Sequence, residues 1–167
     1  MSQANQSNRE LIIVSTSDVD IQLESIVNVP LKFVFQAHTD PKLIPYWWGP
    51  AKYTTTVEEM DVRPGGKWRY IQQDTKGNRH VFFGEYKEIV PLKKITWTFR
   101  YEPYPDISVE TVEFFEINEK QTKIRVRSTY PSKEVRDAVL QSGMESGYKE
   151  SLDRLEKIDF SKIKITY

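Results

Sequence analysis

From residue 53 to residue 129 the chain repeats one device: a stretch of alternating apolar and polar residues, a turn, then another such stretch, with no helical periodicity between them. Returns this short join antiparallel neighbours, because a parallel pair needs a crossover of about a dozen residues or more. The alternating stretches are 53–62, 67–73, 79–89, 94–101, 109–117 and 122–129. Between them lie Arg63-Pro64-Gly65-Gly66, a turn over 74–78 around Gly77, Pro91, the prolines at 103 and 105, and the polar residues 118–120. Glycine, proline and asparagine are the residues that such reversals require. The pattern predicts an antiparallel meander and excludes a strand-helix-strand repeat.

Three further elements frame the meander. Ile21, Leu23, Ser25 and Val27 alternate with Gln22, Glu24 and Ile26 in a strand that stops at Asn28 and Pro30. Pro30 suits the first turn of a helix, which Leu31, Val34, Phe35 and His38 continue, and Asp40-Pro41 opens a second short helix that stops near Pro45. After Pro131 the chain runs free of proline to Ile158, with Ser132 as N-cap and Val135, Val139, Met144, Tyr148, Leu152 and Leu155 at helical spacing. This predicts one long C-terminal helix. Gly143 and Gly147 fall inside it at a cost of about 1 kcal/mol each relative to alanine, which calls either for close backbone packing or for room beside a ligand. The fold expected is α+β, a curved antiparallel sheet wrapped around the C-terminal helix.

Within a strand, alternate residues share a face. Trp68 and Tyr70 therefore lie together, as do Phe82 and Tyr86, and as do Trp97, Phe99 and Tyr101, while Lys67, Arg69, Glu85, Lys87, Thr98 and Arg100 take the opposite, wet face. Ile124 and Val126 against Arg125 and Arg127 repeat the pattern. One concave face thus gathers most of the large rings, either as plain core or as the lining of a cavity. Tryptophan N–H and tyrosine O–H groups need partners when buried, and that favours a cavity over a filled core.

Composition narrows the function classes. Basic and acidic residues number 24 each, so no net field attracts nucleic acid. There is no cysteine, which excludes disulfides, thiolate nucleophiles and cysteine-based metal sites. No apolar run reaches the length of a membrane span, and the first residues lack a signal-peptide core, so a cytoplasmic protein is expected.

Several segments resemble the activator of heat-shock protein 90 ATPase homologue family (its C-terminal domain), a branch of the START-like or SRPBCC superfamily with its helix-grip, Bet v-type fold. They are Ala37-His38-Thr39-Asp40-Pro41 leading to Tyr46-Trp47-Trp48-Gly49-Pro50, the run from Met60 through Arg63-Pro64-Gly65-Gly66-Lys67-Trp68-Arg69-Tyr70, and Gly84-Glu85-Tyr86-Lys87-Glu88-Ile89-Val90-Pro91. Residues 143–155 resemble the family's closing helix. The likeness covers about residues 20–158, leaving 1–17 and 159–167 as extensions of a domain spanning 18–158. It implies a cavity for lipids, sterols, hormones or polyketides, in some members with cyclisation or hydrolysis, and a chaperone as the other kind of partner. The namesake activators carry a further N-terminal domain for which this chain has no room, so ATPase stimulation is not expected.

The residues support binding more directly than catalysis. Trp47, Trp48, Trp68, Tyr70, Phe82, Tyr86, Trp97, Phe99, Tyr101, Met144 and Tyr148 are the expected ligand contacts, with one ring of Trp47-Trp48 plugging the core and the other at the mouth. His38 and His80 are too few for a metal site, and Glu58 and Glu59 point to opposite faces of a strand. Asp61 and Arg63 are expected as a surface ion pair. No phosphate loop or nucleophile elbow is present. The function expected is non-catalytic binding of a small apolar or aromatic ligand by a monomer or homodimer, without cofactor, metal or nucleic acid. A chaperone-interaction module and a cyclase- or hydrolase-like enzyme are the alternatives, the latter with Tyr70, Gln72, Tyr86 or Tyr101 as donors. The terminal stretches at 11–14 and 163–167 are strand-like and expected to pair with each other, with a sheet edge or across a dimer.

Overall fold

The structure, a computed structural model, describes residues 7–162. Its sheet has strands β1 (Ile12–Val14), β2 (Asp20–Val27), β3 (Thr54–Met60), β4 (Lys67–Gln73), β5 (Arg79–Val90), β6 (Lys94–Tyr101), β7 (Ser108–Asn118) and β8 (Gln121–Thr129). The spatial order is β1-β2-β8-β7-β6-β5-β4-β3, and every neighbouring pair is antiparallel. β3 to β8 follow one another as the alternation requires. β2 then closes the meander on β8, pairing Ile21 with Ser128 and Leu23 with Val126.

Register shifts interrupt the ladder at 57/59, 86/88 and 116/118. An extra residue on one strand bends it and raises its twist, which curls the sheet. The first shift also corrects the expectation for Glu58 and Glu59: with the alternation broken between them, both side chains are exposed. Glu58 pairs with Arg69 at 3.3 Å on the outer face.

Between β2 and β3 come α1 (Leu31–Thr39) and α2 (Ile44–Trp47). The expected single C-terminal helix is two: α3 (Lys133–Gln141) and α4 (Met144–Glu156). Ser132 caps α3 as its sequence position demands, its Oγ accepting from the Val135 N–H at 3.2 Å. Gly143 stops α3 and opens α4 with φ at +85°, a left-handed conformation that a residue with a Cβ adopts only under strain. A short 3₁₀ turn follows at Phe160–Lys162. Leu152 and Leu155 of α4 are fully buried against Ile21, Leu23 and Val27 of β2, in a core that also holds Ile95, Val112 and Ile124.

Of the options for the first terminal stretch, the structure shows the sheet edge: β1 pairs with β2. Arg9 just before it reaches Asp153 at 2.9 Å and Glu156 at 2.5 Å on α4. The stretch at 163–167 lies outside the described residues.

A cavity with an inward-facing carboxylate

The curled sheet and α3–α4 enclose a cavity of about 350 Å³. Trp47, Trp48, Trp68, Tyr70, Tyr86, Trp97, Phe99, Met144 and Tyr148 all line it. Phe82 and Tyr101 do not, because their rings pack on other rings, Phe99 among them, rather than on the cavity. Phe82 stacks on Tyr101 at 5.0 Å and meets Trp48 edge-on at 5.2 Å. Tyr101 belongs to an outer aromatic group, with its hydroxyl 2.6 Å from His80 Nδ1 and its ring near Tyr104.

Two motif segments fix the strand wall. Gly65 donates its N–H to the Tyr86 carbonyl and Gly66 accepts from the Tyr86 N–H, both at 2.8 Å, so the Pro64-Gly65-Gly66 reversal docks on the backbone of Tyr86. A Cβ on Gly66 would sit 1.9 Å from the Asp61 carbonyl oxygen. Gly84 stands opposite Trp68, whose Nε1–H donates to the Thr98 carbonyl at 3.2 Å across the space a larger residue would fill. Its Cβ would lie 1.8 Å from that same carbonyl oxygen. Asp61 and Arg63 form the expected exposed pair at 2.7 Å.

The segment Trp47-Trp48-Gly49-Pro50 is tied down from three sides. Trp47 is buried, donates from Nε1 to the Ala37 carbonyl at 2.9 Å and packs on His38 at 4.6 Å. Trp48 is half-buried and meets Tyr70 edge-on at 5.1 Å. From α4, Ser151 Oγ accepts the Gly49 N–H at 3.0 Å and Arg154 donates to the Gly49 and Pro45 carbonyls at 2.5 and 3.3 Å. Gly49 takes φ +80°, and its missing Cβ leaves space for the Gln72 amide.

His38 is buried, and its Nδ1–H donates to the Val34 carbonyl at 2.8 Å. Burial pushes its pKa down to about 4, so the ring is neutral at physiological pH. Burial also raises the phenols: Tyr86 to about 12, and Tyr70 well above its ordinary value.

The polar group that the sequence reading missed is Glu110. It sits on β7 in a row that crosses the sheet directly, Tyr86 opposite Trp97, Trp97 opposite Glu110, and Glu110 opposite Ser128. Its Oε1 accepts from Trp97 Nε1–H at 3.0 Å and its Oε2 from Ser128 Oγ–H at 2.8 Å. Surrounded by apolar groups, its carboxyl has a raised pKa, burial outweighing the two hydrogen bonds that favour the charged form. Tyr130 and Tyr148 line the same cavity, and burial together with the Glu110 charge raises both phenols, Tyr130 to about 12. The Tyr148 hydroxyl is buried without a hydrogen-bond partner. Among the described residues, no Lys or Arg lines the cavity, no group of three or more His, Asp or Glu is placed to hold a metal, and no helix is long and apolar enough to cross a membrane.

The comparisons with solved structures agree with this architecture. A Rhodobacter sphaeroides protein superposes with a TM-score of 0.82 at 20% identity, over 88% of this chain and 96% of that one. A Staphylococcus epidermidis protein gives 0.78 at 21% identity, over 93% and 97%. Protein NE0264 of Nitrosomonas europaea gives 0.76 at 22% identity, over 86% and 95%. At these identities the likeness shows a shared fold. No functionally curated protein matches the sequence. Residues 28–158, from the end of β2 to the end of α4, match the family model described as Activator of Hsp90 ATPase homolog 1-like protein, so the chain belongs to that family, a START-like, helix-grip branch of SRPBCC proteins.

Proposed function

We propose that the protein binds a small, largely apolar molecule in the cavity between the sheet and α3–α4. The observation that carries this reading is the space itself, about 350 Å³ lined chiefly by aromatic rings. That is within the range of small-molecule sites, about 300 to 1,000 Å³, and equals the room of about a dozen waters. The family supports a ligand-binding or interaction module without naming the ligand. The buried rings supply most of the binding energy through apolar contact, while Glu110, Ser128 and Tyr148 supply the few polar contacts that orient a ligand.

A thermal-shift screen with fatty acids, sterols and aromatic metabolites, followed by native mass spectrometry of the hits, tests the proposal. A true ligand at a hundredfold excess over its Kd adds about 2.7 kcal/mol, a rise of roughly 5–10 °C in Tm for a chain of this size. A blank screen, combined with stimulation of a chaperone ATPase by the same chain, would replace ligand binding by an interaction role.

A further inference from the structure

We infer that the polar end of the ligand is a protonated amine, seated on the free acceptor positions of Glu110 and on the Tyr148 hydroxyl among the surrounding rings. The inference rests on the ligand-binding reading above and specifies its chemistry.

An ionised carboxylate offers about four acceptor positions. Glu110 uses one on each oxygen, for Trp97 and for Ser128, and both of those donors are neutral. The remaining positions face a cavity that holds no cationic side chain among the described residues, its one histidine being kept neutral by burial. Removal from water favours the uncharged carboxyl, so a cation that holds Glu110 ionised gains a charged partner that no described residue lining the cavity supplies. Tyr148 is a second and independent sign of an unfilled polar site, since its hydroxyl is buried with nothing to bond.

A ligand ammonium answers both vacancies. It donates to Glu110 and to Tyr148, and the negative faces of tryptophan and tyrosine rings attract the same charge. Trp97 is doubly suited, because its bond to Glu110 holds its ring next to the carboxylate. A carboxylate ligand would instead place two like charges in one dry site. A neutral alcohol would meet the hydrogen-bonding need and gain nothing from the charge. The cavity therefore ranks ligands of equal shape by the charge of their polar end.

Three probes with one ring system test this: 1-naphthylmethylamine, 1-naphthalenemethanol and 1-naphthoic acid, titrated calorimetrically into the full chain at neutral pH. The amine is expected to bind about tenfold tighter than the alcohol, with the acid weakest. Glu110→Gln keeps the shape and the Trp97 bond, with Ser128 accepting from the new amide where it had donated to the carboxylate, and is expected to erase the amine's advantage over the alcohol. An acid that binds as tightly as the amine, or an amine preference that survives Glu110→Gln, overturns the inference and leaves ligand binding standing. Binding of none of the three overturns the inference, and ligand binding falls with it only if the wider screen is also blank. Should Glu110→Gln fail to fold, the ranking of the three probes by the unaltered protein decides the matter alone.

Discussion

The strand wall of the cavity and its helix wall are built on opposite principles. On the strand side the indole N–H groups have fixed partners: Trp68 on Thr98, Trp97 on Glu110, and Trp47 of the adjoining α2 on Ala37. On the helix side α3 and α4 part at Gly143, Val139, Met144 and Gly147 are only half-buried, and the Tyr148 hydroxyl has no partner. Ladder hydrogen bonds and close packing leave the strand wall one arrangement. The helix wall has space at its junction and an unmet hydrogen bond, so it is the side on which a ligand can change something.

A substitution at Gly84 probes the contrast most sharply. Gly84→Ala would drive a methyl group to 1.8 Å from the Thr98 carbonyl oxygen, backbone that the ladder holds in place, and a loss of about 3 kcal/mol is expected in urea unfolding. A loss under about 1 kcal/mol would show that the strand wall yields, and the contrast would fail.

His38 of α1, packed on Trp47 and on Phe114 of β7, tests the neighbouring core by pH. Its pKa falls from 6.5 to about 4 on folding, so between those values the unfolded chain takes up a proton that the folded one refuses. Its contribution is fully present above pH 6.5 and is lost as pH falls through 4. At about 1.4 kcal/mol per pKa unit this amounts to roughly 3 kcal/mol. Equilibrium unfolding across that range should show the fall, and His38→Leu should flatten it relative to the unaltered chain. Parallel curves would mean that the imidazole becomes charged without opening the core.

Gly143→Ala imposes the cost of a left-handed backbone alone, since nothing lies within 4 Å of the added carbon, and about 1–2 kcal/mol is expected. Gly147→Ala should act in the opposite direction. Its new methyl group would touch only Pro50 at 3.9 Å, so helix propensity dominates and stability rises by up to about 1 kcal/mol. If Gly147→Ala destabilises, the helix wall is packed as tightly as the strand wall.

The order of the meander from β3 to β8 was legible in the sequence because alternation and turn residues both specify it, whereas the closure of β2 on β8 was not. The break at Gly143 was not, since an interior glycine with its modest helix cost looks the same whether the helix continues or turns. Glu110 escaped for a different reason. Counting back by twos from Val112 brings it to the inner face, but Val109 and the doublet Phe114-Phe115 blur which face is apolar, and Val109 is in fact exposed. Extending Ile124 and Val126 forward by the same step would have found Ser128 and Tyr130. Phe82 and Tyr101 show the converse: the face was correctly assigned, but alternation carries no information on which rings of that face meet one another instead of the cavity.

The seam between β2 and β8 has a consequence in time. Ile21 and Ser128 are opposite each other in space but lie at the two ends of the domain, so the first long strand to leave the ribosome is the last to find its partner. The meander can zip up through local hairpins, each closing a short loop. Ile21, Leu23 and Val27 must wait, exposed, for a closure spanning most of the chain, and such long-range closures are what slow folding. The interval in which an aggregating partner can capture this protein is therefore set by the arrival of β8 beside β2.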